Sequence, residues 1–535
     1  MIISGMNTWE GAPEVVSWPT RALKTACDVG TTGALRQLGI PVKPGLEFIY
    51  IHNGMVYLSV DAMASTMLRL PDWQLESAGV KKEEVWPYLP DEITRPRTPL
   101  EKFQGLLIAV GIVLRLPRVS RTLSARARAK DINQIAMWNK RVAEATSPQD
   151  LADLLDPLTH CLSHLWEVHL LASMMFTQSW TQLEQACQEV GVDPSLIVAG
   201  GGGIISSHVT LMLYQLTAAS ISQEIDLTAD DAWERLTTNP VTKKLVDEFL
   251  EVCGYRGFNE MEFSSPRFYE EPEVILSAMR AQGTTDPRET ARKARQAGWA
   301  QVPESHRKNV DRRAKAAQSN AALREATKDA TVRMADVYRQ WCLKAAKMLP
   351  DPEVTWLMTV EEIAQWLRDG IAVEPETLET RKIRWETWRA LTPVETLFVD
   401  PPTGVVHPVS MTEEEVRRGE LTGTIVSQGV SSRVTGRAVV ALDPRAALEK
   451  LEALRGEGDG APILITRVTN VAWTAAFGAI GGIITEVGGV GSHAAIVARE
   501  YGIPALVNVM QAVAAIPDGA TVELDCEQGI VKWHT

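Results

Sequence analysis

The residues in this sequence best suited to chemistry lie between Gly481 and Gly502, in the stretch GGIITEVGGVGSHAAIVAREYG. His493 follows Gly488, Gly489, Gly491 and Ser492 there. Glycines allow positive φ and close backbone approach, so Glu486–Gly491 reads as a tight turn. Ser492 is a good helix N-cap, and Ala494–Tyr501 reads as a short helix. Gly502 suits its left-handed C-terminal cap, and Pro504 blocks continuation. Unpaired N–H groups and the positive end of the helix dipole converge at such a junction, which makes it an anion site. A histidine placed there would hold a phosphate once its imidazole carried one.

Other groups belong to a helical pattern upstream. Arg324 and Lys328 are i and i+4 and share a helix face, on which Thr331, Ala335, Tyr338 and Arg339 also fall. Leu323, Met334, Val337, Trp341 and Met348 form a separate apolar stripe, expected to pack, and Arg333 lies opposite Arg324. Paired cations of this kind stabilise a transferring phosphoryl group, or else form a solvated basic face. Arg256, Glu260, Glu262 and Arg267 sit in a loop marked by glycine and proline. Either carboxylate could take a proton from a hydroxyl, or the four could form an internal ion-pair network. Gly200–Gly203 reads as an interhelical turn, without a Lys or Thr at nucleotide-loop spacing. His160, Cys161, His164 and His169 share a helical pattern without an accompanying acid, so no metal site is expected. Met174, Met175, Phe176 and Trp180 suit a flat apolar ligand or a plain core.

The elements that must position these groups change character along the chain. Residues 1–65 read as a small, irregular, β-containing segment, with a hairpin over Phe48–Val60 turning at Asn53-Gly54. Helical periodicity dominates 66–398, over Gln149–Leu155, Leu162–Val190, His208–Gln223, Asp230–Arg235 and Asn320–Met348. Residues 399–419 read as a Pro-rich linker, clearest over Val399–Thr412. From 420 to 535 short strands alternate with glycine turns and two helices, Arg445–Leu454 and Ala494–Tyr501. The expected fold is therefore an α+β multidomain chain, a mainly helical N-terminal domain followed by a compact α/β (β/β/α) domain. The apolar run Leu106–Leu114 is half the ~20 residues a bilayer span needs. It reads as a buried helix followed by a basic connector (Arg115, Arg118, Arg121, Arg126, Arg128 and Lys130), so no membrane span is expected. With 535 residues, 45% hydrophobic and 23% charged, the composition is that of a globular protein. A net charge of −13 argues against a nucleic-acid partner. Six scattered Cys without a C-x-x-C pair fit reduced thiols and a cytoplasmic location.

The stretch TEVGGVGSHAAIVAREYGIPALV resembles the phosphohistidine swivelling domain of phosphoenolpyruvate-utilising enzymes, whose pattern runs T-x-x-G-G-x-x-S-H-x-A-I-V-A-R-E-x-G-I-P-A-V. Thr485, Gly488, Gly489, Ser492, His493, Ala495, Arg499, Glu500, Gly502 and Pro504 all match it. The resemblance implies that His493 is phosphorylated, with Thr485, Gly488, Gly489 and Ser492 positioning the phosphate. A second run, FLEVCGYRGFNEMEFSSPRFYEEP from Phe249 to Pro272, is similar to one in rifampicin phosphotransferases. So are Ala322–Lys328 with Arg333, Tyr338 and Arg339, and Ile463–Thr474. The likeness covers about 240–535 well and 1–240 weakly. It implies a helical acceptor-binding domain, with Arg324 and Lys328 catalytic and Arg256, Glu260, Glu262, Arg267 and Arg339 near the acceptor.

Three departures shape the expectation. An ATP-grasp domain is not legible in 1–240, and neither is a C-terminal phosphoenolpyruvate barrel beyond His493. Asn470-Val471 stands where the resembled stretch has Asp-Pro, and Tyr255 stands where the antibiotic enzymes commonly carry His. The chain is thus expected to hold no tight cofactor and to receive its phosphoryl group from ATP and Mg²⁺ through a separate ATP-grasp nucleotide-binding subunit, releasing AMP and phosphate. The acceptor would be a hydroxyl of a small molecule, and sixteen Trp would suit an aromatic one. A phenylphosphate synthase-like subunit is the chief alternative within this class. A phosphohistidine carrier or regulatory protein without acceptor chemistry is the alternative outside it.

Overall fold

Asn53 and Gly54 take φ values of 47° and 75°. Two left-handed residues in succession match the right-handed twist of the strands they join. They connect β2 (Ile49–His52) to β3 (Met55–Ser59), paired antiparallel with Ile51 opposite Val56. With β1 (Ile2–Ser4), β4 (Thr396–Val399) and β5 (Val406–Pro408) they form a five-stranded sheet of order β2-β3-β1-β4-β5. The computed structural model describes residues 2–4, 14–67, 95–126, 130–201, 205–281, 286–391, 396–399, 406–408, 419–454, 460–470 and 473–534. The Pro-rich stretch over 399–419 thus carries the end of β4 and all of β5, and most of the remainder lies outside the described residues.

The chain forms two compact units that interleave in sequence. One comprises residues 1–172, 260–264 and 326–411, the other 173–259, 265–325 and 412–535. The first contains the five-stranded sheet and, against expectation, a 17-residue helix Ala22–Leu38. Gly30 and Gly33 hide this helix from sequence reading, because glycine weakens a helix interior. Both are explained by packing: a Cβ at Gly30 would lie 2.4 Å from the Ser163 carbonyl oxygen, and one at Gly33 would lie 2.8 Å from Glu167. The expected buried helix at Leu106–Leu114 is also corrected. It belongs to one helix, Pro99–Arg126, that includes Arg115, Arg118, Arg121 and Arg126 of the expected connector, and Leu107 and Leu114 are 55% and 72% exposed. Among the described residues no helix is long and apolar enough to cross a membrane.

The second unit holds an eight-stranded mixed sheet: β6 (Glu420–Thr422), β7 (Thr424–Ser427), β8 (Arg433–Val440), β9 (Ile463–Thr466), β10 (Gly482–Thr485), β11 (Ala505–Val507), β12 (Thr521–Asp525) and β13 (Ile530–His534). Its order is β6-β13-β12-β8-β9-β10-β11-β7, with β8, β9, β10 and β11 parallel neighbours. β6 and β7 are separated by Gly423 alone yet stand at opposite ends of that order, so the sheet rolls up. A Cβ at Gly423 would lie 2.4 Å from Val509. Alternation across the pleat sends Ile463, Ile465, Ile484 and Leu506 into an inner core with Val522 and Leu524. Leu464, Ile483, Ala505 and Val507 point the other way. They join one continuous core with Leu448 of the helix Pro444–Ala453, Ala494 and Val497 of the helix His493–Tyr501, and Leu213, Phe249 and Ile275 of three upstream helices. Inside this unit the α/β part therefore packs directly on a helical layer.

Candidate functional site

The turn after β10 forms as the sequence pattern implies. Ser492 Oγ accepts from the Ala495 amide at 3.3 Å, the helix runs His493–Tyr501, and Gly502 closes it at φ 65°. Gly488 has φ 157°, and a Cβ there would lie 3.2 Å from both Ser492 Oγ and Val507 Cβ. The hydroxyl of Thr485 donates to the Val487 carbonyl at 3.0 Å and shapes the turn. The Glu486 and Val487 amides donate to the carbonyls of Thr466 and Arg467, binding the turn to the loop after β9. The histidine turn thus leaves the carboxyl end of a parallel strand, where α/β sheets generally place ligands. His493 is fully buried, with its ring 6.3 Å from that of Phe477, edge-on. Gly489 has open space where a side chain would stand, whereas a Cβ at Gly491 would lie 3.4 Å from the Phe176 ring.

Arg499, two turns along the same helix, is a residue to which sequence reasoning gave no role. Its Nε donates to the Val426 carbonyl at 2.7 Å, and one terminal nitrogen donates to the Val490 carbonyl. Its guanidinium carbon stands 3.7 Å above the centre of the Trp180 ring, a cation–π contact. Burial lowers its pKa to about 10, against the raising influence of Glu184 and Asp193. Burial likewise raises the Glu184 carboxyl, although Trp180 Nε1 donates to it at 2.5 Å. Phe176 and Trp180 line a narrow, mainly apolar pocket with Ile496, Arg499 and Glu500; Arg324 and Lys328 are not part of its lining.

Arg324 and Lys328 lie on one 43-residue helix, Glu304–Ala346. Arg324 is buried and pairs with the buried Glu325 at 2.6 Å, and Lys328 is half-buried. The face is therefore not a solvated basic one. Around it the helix is enclosed on several sides: Thr327, Asp329, Thr331, Met334, Asp336 and Trp341 are all buried. The buried acids Glu325, Asp329 and Asp336 were not anticipated. A carboxylate three or four residues from a cation, as Asp329 is from its partner Arg333 at 2.8 Å, is the signal that could have found them.

The loop residues divide by what they touch. Glu262 accepts from the Ser17 amide at 2.9 Å and hydroxyl at 2.5 Å, and from the Ser264 amide and hydroxyl at 2.8 and 2.7 Å. Four donors make it an anchor for the loop. Arg339 donates to the Phe263 carbonyl at 2.8 Å, and Arg267 to the Asn259 carbonyl at 3.2 Å. Arg256 is buried beside the Tyr255 ring, and Glu260 is fully buried. His169 Nδ1 shares a hydrogen bond with Thr327 Oγ1 at 3.2 Å, and His160 is exposed. Among the described residues no group of three acids, histidines or cysteines is placed to hold a metal ion.

Residues 458–529 match the family model of the PEP-utilising enzyme, mobile domain. The segment around His493 is thus similar to the mobile domain of the phosphoenolpyruvate-utilising enzymes. Residues 168–341, which carry Arg324 and Lys328, match the rifampicin phosphotransferase fourth domain. Similar proteins include a rifampicin phosphotransferase of Streptomyces sp, 33% identical over 308 residues, covering 54% of this chain and 34% of that protein. Another from Bacillus subtilis is 28% identical over 314 residues, 54% of this chain and 34% of the relative. A phosphoenolpyruvate synthase of Aeropyrum pernix is 32% identical over 185 residues, 32% and 21% of the two chains. The chain spans about a third of the length of the phosphotransferases it matches.

Proposed function

We propose that this chain is a phosphotransferase subunit that carries a phosphoryl group on His493 and passes it to a hydroxyl of a small organic acceptor. The observation that carries this reading is His493 at the start of a Ser492-capped helix, after a glycine turn, in a segment that matches a mobile domain. In the first step His493 Nε2 attacks a donor phosphorus, so that an N–P bond forms as the P–O bond to the leaving group breaks. Amides at the helix start and the turn around Gly488 and Gly489 would hold the phosphoryl oxygens. In the second step the acceptor oxygen attacks phosphorus, the N–P bond breaks, and the hydroxyl proton passes to a carboxylate. Glu260 or Glu262 would be that carboxylate, Glu262 also anchoring the loop through the four hydrogen bonds it accepts. Arg324 and Lys328 would stabilise the charge on the transferring group. Splitting one transfer in two lets a mobile domain separate donor from acceptor.

The donor is ATP with Mg²⁺, bound by an ATP-grasp subunit in trans and yielding AMP and phosphate. The support is that no Gly-rich nucleotide loop with a Lys partner is legible in 1–240. The test is labelling with ATP carrying ³²P in its phosphoryl chain. An acid-labile, base-stable label should appear on His493 only when the ATP-grasp subunit is added. Label that survives His493→Ala sinks the histidine assignment, and self-labelling by this chain alone sinks the partner in trans.

A further inference from the structure

The mobile domain sits on the helical layer with His493 fully buried, yet a histidine that visits two places must be exposed between them. We propose that, on top of the shared apolar core, a two-sided clamp holds this docked position, Asn470 after β9 on one side and Arg499 against Trp180 on the other, and that the clamp tunes how often the histidine is released. The idea rests on the mobile domain detaching, as the proposed function requires.

The first jaw is the loop after β9. Asn470 is 1% exposed, and its amide Nδ2 donates to the Phe258 carbonyl at 2.6 Å, joining the mobile domain to the loop that follows the helix Pro240–Cys253. The stretch that this segment resembles has an aspartate here. A carboxylate only accepts, so it could not donate to Phe258 and would face its carbonyl oxygen with like charge. The amide is therefore a feature of this chain that favours the docked state.

The second jaw is the helix His493–Tyr501. Arg499 is fixed within the mobile domain by the carbonyls of Val426 and Val490, and Val490 belongs to the glycine turn. Across from it, Trp180 is 3% exposed, and its indole N–H is held by Glu184. The guanidinium carbon stands 3.7 Å from the centre of a ring that is itself fixed, so the contact forms without ordering new groups. The same guanidinium holds Val490, so the contact with Trp180 reaches the turn that carries His493. The first jaw lies in the loop after β9 and the second in the helix after the neighbouring strand β10, with His493 between Asn470 and Arg499 in sequence and Phe176 close to Gly491.

The clamp can be tested without phosphoryl chemistry. Diethyl pyrocarbonate modifies an imidazole only when it is exposed, and peptide mass spectrometry reads His493 alone. Alkylation of Cys526, buried in the inner core of the sheet, reports unfolding in the same sample. Asn470→Asp, nearly isosteric, should raise the His493 rate about tenfold, the scale of one lost hydrogen bond that leaves an unmatched charge. Trp180→Leu should raise it about threefold, and the double variant should approach the product of the two. In each case Cys526 should react as in the parent chain. A His493 rate that stays at the parent value, or that rises only in step with Cys526, overturns the clamp. Either result leaves the phosphoryl assignment to be judged by its own labelling test.

Discussion

His493 and the pair Arg324 and Lys328 sit at low exposure, but they are held in opposite ways. The turn of the histidine is shaped chiefly by its own sequence neighbours: the Ser492 cap, the Thr485 hydroxyl bond and Gly488 all lie within eight residues of it, and the bonds to Thr466, Arg467 and Val426 add to these. The long helix that carries the two cations is fixed from far away. Trp341 Nε1 donates to the Leu151 carbonyl at 2.8 Å, Tyr338 shares a hydrogen bond with Thr159 at 2.7 Å, and Tyr338 stacks on Phe263 with centroids 4.9 Å apart. A locally built site keeps its geometry when distant packing changes. A site assembled from remote segments loses position whenever one of them shifts.

The sharpest way to break this contrast is His493→Asn. It should abolish both the acid-labile label and product, while the thermal midpoint stays within about 2 °C of the parent, because the cap and the bond that shapes the turn are made by Ser492 and Thr485. Persisting product would move the chemistry elsewhere. Next in size, Trp341→Ala should remove ~3–5 kcal/mol of stability by denaturant titration, as expected for truncating a fully buried Trp. Labelling of His493 below the unfolding transition should be spared; a parallel loss would mean that the histidine site is not local. Arg324→Ala or Lys328→Ala should slow the acceptor step by about 10²-fold, the scale for one lost electrostatic stabiliser. The rate at which His493 is charged should stay unchanged, and equal slowing of both half-reactions would remove the distinction between the regions. The smallest effect belongs to Ser492→Ala, about 1 kcal/mol from the lost cap. Ser492→Asp should restore most of that stability, and if Ala is neutral in a melting experiment the cap does not fix the turn.

This contrast also explains what could be read from the sequence. The histidine turn, its cap, its glycine terminator and the Asn53-Gly54 hairpin were legible because each is a short-range pattern with its own mechanism. The strands from 420 onward were mostly legible for the same reason, although the run Leu421–Val426, which reads as one strand, is split at Gly423 into β6 and β7. The helix Ala22–Leu38 was not, because Gly30 and Gly33 answer to Ser163 and Glu167, more than a hundred residues away. The exposure of Leu107 and Leu114 was missed because an apolar run states what is hydrophobic, not what covers it. The surroundings of Arg324 and Lys328 were half legible. Helical spacing placed them together, but the enclosure of both charged and apolar faces comes from segments that spacing along one helix does not report.

Gly423 has a bearing on solubility. An unpaired strand edge is a template for pairing with another chain, and a domain that leaves its resting place would bare any edge that the resting place had covered. Here the rolled sheet ends in strands of only three and four residues, β6 and β7, and Gly423 runs one into the other. A domain released as proposed would therefore offer other copies almost no ladder to extend. Gly423→Val would force that junction open against Val509, and its first sign should be concentration-dependent aggregation rather than a loss of chemistry.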